Sequence, residues 1–168
     1  DFMLIATMNP CPCGFFGDNN YECSCNNNQI SKYQNKISGP LLDRIDMVVN
    51  VTRVPTNRLI QKNHNGNSLP KYRSAIDVIN TAIHNQKNRY QNSYKFNISL
   101  SQHDIKYNIN LTDAAKNLLD MASEKLNLSA RSYFKIVKIS RTIADLDNNS
   151  DILPSHISEA LQYRQSIK

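Results

Sequence analysis

The chain has 168 residues, 40% of them apolar, with eight tyrosines, five phenylalanines and no tryptophan. That length and composition describe one or two small globular units rather than a fibrous or disordered polymer. No run approaches the roughly 18–20 apolar residues of a membrane span, and no charged-then-apolar leader opens the chain, which predicts a soluble, cytoplasmic protein without a membrane partner. The net charge of +6 favours a polyanion as partner, yet a surplus of that size is common in ordinary soluble domains, so charge alone decides little.

In chain order, Phe2 to Thr7 is a continuous apolar run of the kind found in a strand buried on both faces, and Asn9-Pro10 stops it. The run starts with no polar lead-in, which predicts a strand belonging to a longer protein. After the cysteine-rich stretch that follows, "NNNQISKYQNKIS" offers an asparagine cap with Ile30, Tyr33 and Ile37 at helical spacing, closed by Gly39-Pro40. "PLLDR" then reads as a turn of helix, and "IDMVVNV" as a second buried, β-branched strand. From residue 55 to 73, prolines, glycine and asparagines predict a linker. Beyond it the pattern is helical: Ser74 to Tyr90, a helix capped by Thr112, residues 129 to 146, and residues 154 to 165.

All four cysteines fall in "MNPCPCGFFGDNNYECSC", as the pairs Cys11-x-Cys13 and Cys23-x-Cys25. Four thiolates suit tetrahedral zinc, and the loop between the pairs is long enough to bring both to one ion. Each pair has a single spacer where two to four are commoner, so the motif is stronger in number than in spacing. Disulfides, which a reducing cytosol disfavours, and mere packing are the plainer alternatives. The turn-rich surroundings argue against packing. A metal here would act locally, stabilising a loop that has no core of its own.

Asn9 stands at the carboxyl end of the first predicted strand, where α/β sheets place their ligands. Its carboxamide can bond a phosphate oxygen or hold an attacking water, and it can equally do no more than end the strand before proline. Arg44 immediately precedes the second strand, the place for a cation that reaches a neighbouring subunit's phosphate or that simply pairs with Asp43 or Asp46. In "LSARSYFKIVKISRTIADL", Tyr133, Ile136, Val137, Ser140, Ile143 and Ala144 form an apolar face, while Arg131, Lys135, Lys138 and Arg141 form a basic stripe beside it. The four histidines, His64, His84, His103 and His156, have no partner at metal or triad spacing and read as surface or packing residues.

Taken together, "ATMNPCPCGFFGD", "CSC", "ISGPLLDRIDMVV", "LSARSYFKIVKISRTIADL" and "HISEALQYR" resemble the magnesium-chelatase-like AAA+ ATPases of the ComM/YifB family. The resemblance covers the last third of such a protein, without the G-x-x-x-x-G-K-[ST] loop or the acidic Mg²⁺ motif. It implies an α/β plus α chain in three parts. Residues 1–54 would end an AAA+ parallel-sheet core with a cysteine-rich insertion, residues 55–73 would link, and residues 74–168 would form an all-α lid. It also implies roles for single residues: Asn9 as the sensor of the γ-phosphate, Arg44 as an arginine finger, and Arg131, with Arg141 as second candidate, as the lid's nucleotide sensor. The parent would be a hexameric ring using ATP and Mg²⁺ to remodel DNA by branch migration, and this piece alone would be inactive. The competing classes are a zinc-stabilised nucleic-acid-binding module and a protein-interaction scaffold, neither needing ATP.

Overall fold

The computed structural model describes residues 2–51, 68–91 and 95–164. The chain divides into two compact units, Asp1–Ile45 with Val49–Gln61, and Asp46–Val48 with Lys62–Lys168.

In the first unit, the cysteine loop is followed by helix α1 (Asn27–Gln34) and the short helix α2 (Gly39–Leu42). Asn26 starts α1 as a reciprocal cap: its side chain accepts from the Gln29 N–H at 2.9 Å, and the Gln29 side chain accepts from the Asn26 N–H at 3.0 Å. Ile30 is the buried residue of this helix. Pro40 lies in the first turn of α2, where its missing N–H removes no helical bond.

Neither apolar run is a strand in this chain. Residues 2–9 and 45–51 carry no ladder pairing among the described residues. Their side chains are largely exposed, up to 89% for Phe2 and 88% for Val51. The expected parallel sheet is therefore not formed by the described residues. The physical reason is that a strand buried on both faces needs neighbours on its edges and helices on its faces, and these residues supply neither.

The second unit is helical, as the pattern predicts: α3 (Ser68–Tyr90), a 3₁₀ turn (Asn97–Ser99), α4 (Gln102–Asn108), α5 (Asp113–Lys125), α6 (Ala130–Leu146) and α7 (Pro154–Gln162). Most of the expected linker 55–73 lies outside the described residues, as does His64, and the end of that stretch is already helical because α3 begins at Ser68. Three starts are fixed by hydroxyl caps, Ser101 to the Asp104 N–H, Thr112 to the Ala115 N–H and Ser129 to the Ser132 N–H, each worth about 1 kcal/mol. Helices α5 and α6 are each followed by a left-handed asparagine, Asn127 (φ 47°) and Asn148 (φ 55°).

The core joins Leu100, Ile105, Ile109, Ala115, Leu119, Ile136, Val137, Ile143, Ala144, Ile152, Ile157 and Ala160. Helix α6 is its axis, packed by α3, α7 and the 3₁₀ turn. Each Leu or Ile buried there contributes about 1.5–3 kcal/mol. A single parallel bridge, Leu111 to Ile152, ties the start of α5 to the approach to α7, with the Ile152 N–H donating to the Asn110 carbonyl at 2.9 Å and the Thr112 N–H to the Ile152 carbonyl at 3.1 Å.

Candidate metal centre and candidate nucleotide-facing residues

The loop after Asn9 doubles back through two turns. The Gly14 N–H donates to the Cys11 carbonyl at 3.1 Å, and Gly14 has φ +82°, a conformation that side chains rarely adopt. This turn points both cysteines of the first pair inward, and the Phe16 N–H donates to Cys11 Sγ at 3.4 Å. The return through Phe15 and Tyr21, whose rings stand 5.2 Å apart, brings the second pair to the first.

Cys11 Sγ lies 3.3 Å from Cys13 Sγ and 3.7 Å from Cys23 Sγ, Cys13 and Cys23 are 3.5 Å apart, and all four sulfurs, Cys25 included, lie within 4.8 Å of one another. Sulfurs at the corners of a tetrahedron with zinc–sulfur bonds of about 2.3 Å stand about 3.8 Å apart. The set has that size. Disulfide bonding does not describe it, because all four thiols are free. Nor does packing, because only Cys11 is buried.

The electrostatics agree. A bond from the Phe15 N–H leads the causes that lower the Cys13 thiol to about 5. At Cys23, a bond from the Cys25 N–H pulls down but is outweighed by burial and the neighbouring Cys13 and Cys11 sulfurs, which push it up to about 12. Cys25 is also raised: the Cys13 N–H opposes this, and burial and the same neighbours prevail. Cys13 ionises easily while Cys23 and Cys25 resist, because negative charges this close repel. A dication removes that conflict, so the donor set fits a structural metal.

Asn9 is exposed and directly precedes this cluster. A Cβ placed on Gly14 would come to 4.0 Å from Asn9 Nδ2, so the carboxamide lies beside the Cys11–Gly14 turn. Arg44 is exposed just beyond α2, with Nη1 donating to the Pro40 carbonyl at 2.8 Å. Arg131 is exposed in the first turn of α6.

Arg141 departs from the basic stripe on which the sequence places it. It is 0% exposed and paired with Asp145, also 0% exposed, at 3.0 Å. Its Nη1 donates to the Ser150 carbonyl at 2.5 Å and its Nη2 to the Asn149 carbonyl. Arg141 alone of the stripe turns inward, held by Asp145 one turn on and by the carbonyls of Asn149 and Ser150 just beyond α6. Burial pushes the Arg141 pKa below its ordinary value, with Asp145 opposing.

Arg89 completes the cluster with a two-pronged bond to Asp145, one prong at 3.0 Å, while Asn97 Nδ2 donates to Asp145 at 2.9 Å and to Thr142 at 3.0 Å. Sequence reasoning missed Arg89, Asn97 and Asp145 as a group. Asp145 is visible there only as the first acid after the stripe, and its partners come from distant segments. Lys138 reaches the Ile98 carbonyl at 2.9 Å.

The histidines in the described residues serve packing and surface roles. His156 is buried: its Nδ1 accepts from the Leu153 N–H at 3.0 Å, so the neutral ring carries its proton on Nε2, facing Asp147 Oδ2 at 3.2 Å. His84 bonds Asn88 at 2.8 Å, and His103 stacks on Tyr107. No further cluster of metal-ligating side chains occurs among the described residues. Among them, too, no helix is long and apolar enough to cross a membrane.

Comparison with known proteins shows two matches in succession. The family described as magnesium chelatase, subunit ChlI, matches residues 1–59, and the one described as magnesium chelatase, subunit ChlI C-terminal, matches residues 73–164. Competence protein ComM of Haemophilus influenzae is 33% identical over 167 residues, covering 99% of this chain and 31% of its own length. Protein YifB of Salmonella typhimurium is 34% identical over 164 residues, 97% of this chain and 31% of its own. Protein Mb2921c of Mycobacterium bovis is 25% identical over 165 residues, 98% and 32% respectively. The chain thus spans about a third of the length of these curated relatives.

Proposed function

We propose a function from one premise: this chain belongs to the magnesium chelatase subunit ChlI family. It is the C-terminal portion of an AAA+ ATPase of the ComM/YifB kind, comprising the end of the α/β core (1–54), a linker (55–73) and a helical lid (74–168). The observation that carries this reading is the succession of the two family matches along one chain. In the parent, the runs at 2–7 and 45–51 are strands of a parallel sheet, and their exposed apolar side chains are the faces that helices cover.

Three exposed groups carry the chemistry. The Asn9 carboxamide both donates and accepts, so it can hold an attacking water and sense the γ-phosphate oxygen. Among the described residues Arg44 has one carbonyl bond to exchange in presenting its guanidinium to a triphosphate on the adjacent protomer, a contribution on the order of 10³ to 10⁵ in rate for an arginine finger. Arg131 takes the lid's sensing role, since it is exposed at the positive end of α6 while the buried Arg141 is fully engaged by Asp145, Asn149 and Ser150. The phosphate-binding loop and the Mg²⁺ ligands belong to the rest of the parent, so this chain alone does not hydrolyse ATP. The metal of the cysteine cluster is zinc, in a structural role. The assembled protein is a hexameric ring acting on DNA in branch migration.

The test is ATP turnover by the full-length protein and its Arg44→Ala variant. The expected result is a loss on the order of 10³-fold in kcat with ATP binding retained. Undiminished turnover overturns the role of Arg44. A parent that binds DNA with zinc but never hydrolyses ATP supports a metal-stabilised binding module instead.

A further inference from the structure

Pro10 is held from both sides. On one side its peptide leads into Cys11, which is 0% exposed, accepts the Phe16 N–H and stands in van der Waals range of two other sulfurs. On the other, the Gln34 side chain donates from Nε2 to the Pro10 carbonyl at 3.0 Å. Gln34 ends α1, and α1 is itself anchored at its start: its cap, Asn26, directly follows Cys25. The chain therefore closes a circuit from the fourth cysteine, through the capped helix, to the residue before the first.

Asn9 is the residue this circuit immobilises. Proline at position 10 confines it to extended backbone, and the Gly14 turn lies beside its Nδ2. We infer that Gln34 is a positioning residue which, together with a metal ion on the four thiolates, clamps Pro10 and so fixes the Asn9 carboxamide, making metal occupancy a determinant of nucleotide turnover. The inference rests on the reading of Asn9 given above.

Physically, a metal held by the four sulfurs would join them into one rigid node, and Gln34 carries that rigidity to the carbonyl next to Asn9. Loss of either contact leaves the fold of the second unit untouched and frees only the approach to Asn9. Misplacement of a reacting group's partner by about 1 Å is worth up to about 100-fold in rate. Metal loss or Gln34 loss is accordingly expected to lower kcat rather than raise KM.

Two measurements test this. In the first, the 168-residue chain is titrated with Zn²⁺ alone while the side-chain amide resonances of Asn9 and Gln34 are followed by NMR. Both are expected to move with the first equivalent, and in Gln34→Ala zinc still binds but the Asn9 response is lost. An Asn9 resonance indifferent to zinc overturns the clamp.

In the second, ATP turnover of the full-length protein is compared across variants. Gln34→Ala is expected to lower kcat about tenfold with KM within about twofold, and Gln34→Lys, which keeps an N–H donor of similar reach, to restore most of it. Normal kcat in Gln34→Ala alongside a defective Asn9→Ala rejects the clamp and leaves the Asn9 reading intact. Normal kcat in Asn9→Ala rejects the Asn9 reading and with it any link from the metal to turnover.

Discussion

Replacement of Asp145 by alanine strands two guanidinium groups at once, and the two respond differently. Arg89 has a side chain 19% exposed, so it can turn toward water and recover its hydration. Arg141 is 0% exposed and cannot. Its stranded charge sets the loss. Removing one partner of a buried pair costs about 3–5 kcal/mol. The two carbonyls that Arg141 still contacts, Asn149 and Ser150, place the loss near the lower end of that range. At about 4–8 °C per kcal/mol for a domain of this size, a loss of about 3 kcal/mol lowers Tm by about 12–24 °C. Urea unfolding of the chain, followed by far-ultraviolet circular dichroism, measures it directly. A companion double variant, Arg141→Met with Asp145→Leu, should recover most of the loss, because replacing both partners with apolar groups is near neutral. A loss below about 1 kcal/mol in Asp145→Ala, or a double variant worse than the single one, refutes the reasoning.

Ser140 is fully buried in α6 with a hydroxyl that has no hydrogen-bond partner among the described residues, so Ser140→Ala should stabilise the chain by about 1 kcal/mol, and a clear destabilisation in urea unfolding contradicts this. Asp104 has its carboxyl pKa held below the usual range by the Lys95 ammonium and then by the Ser101 N–H and hydroxyl. Its contribution is therefore present above the unfolded value of about 3.9 and lost as pH falls. Asp104→Asn should show a shallower loss of stability than the unsubstituted chain between about pH 6 and about pH 2, and identical acid titrations exclude the effect. The cysteine cluster should take up one zinc with four sulfurs at about 2.3 Å by X-ray absorption, release protons on binding and weaken with acid. In Cys11→Ser, stoichiometric tight binding should disappear, and its survival removes Cys11 from the ligand set.

The helical half was legible because its signals are local. The apolar spacing of Ile136, Val137, Ser140, Ile143 and Ala144 marks the buried face of α6, and Thr112 and Ser129 mark the starts of α5 and α6. Helix α4 escaped the same reading although Ser101 and Asp104 form a reciprocal cap, because its seven residues are too few to show a period. The predicted strands are not formed among the described residues, for the opposite reason. Residues such as Ile5 and Val49 have the right character, but a strand is completed by its neighbours, and sequence character does not provide them.

The candidate site divides along the same line. Four cysteines within one short segment announce themselves, whereas the cluster on Asp145 draws Arg89 from α3 and Asn97 from the 3₁₀ turn, beyond any local pattern. Gln34 carries no sequence signal of its own. Its importance lies in where the end of α1 happens to stop.

The grouping of Arg89, Arg141 and Asp145 also limits how such a sequence can drift over generations. A lineage that loses the aspartate first, or the inner arginine first, passes through a poorly folded ancestor and is removed. The outer arginine alone has a viable first step, since its absence leaves the inner pair balanced. Variation among descendants should therefore begin at position 89 and reach 141 and 145 only as a joint exchange.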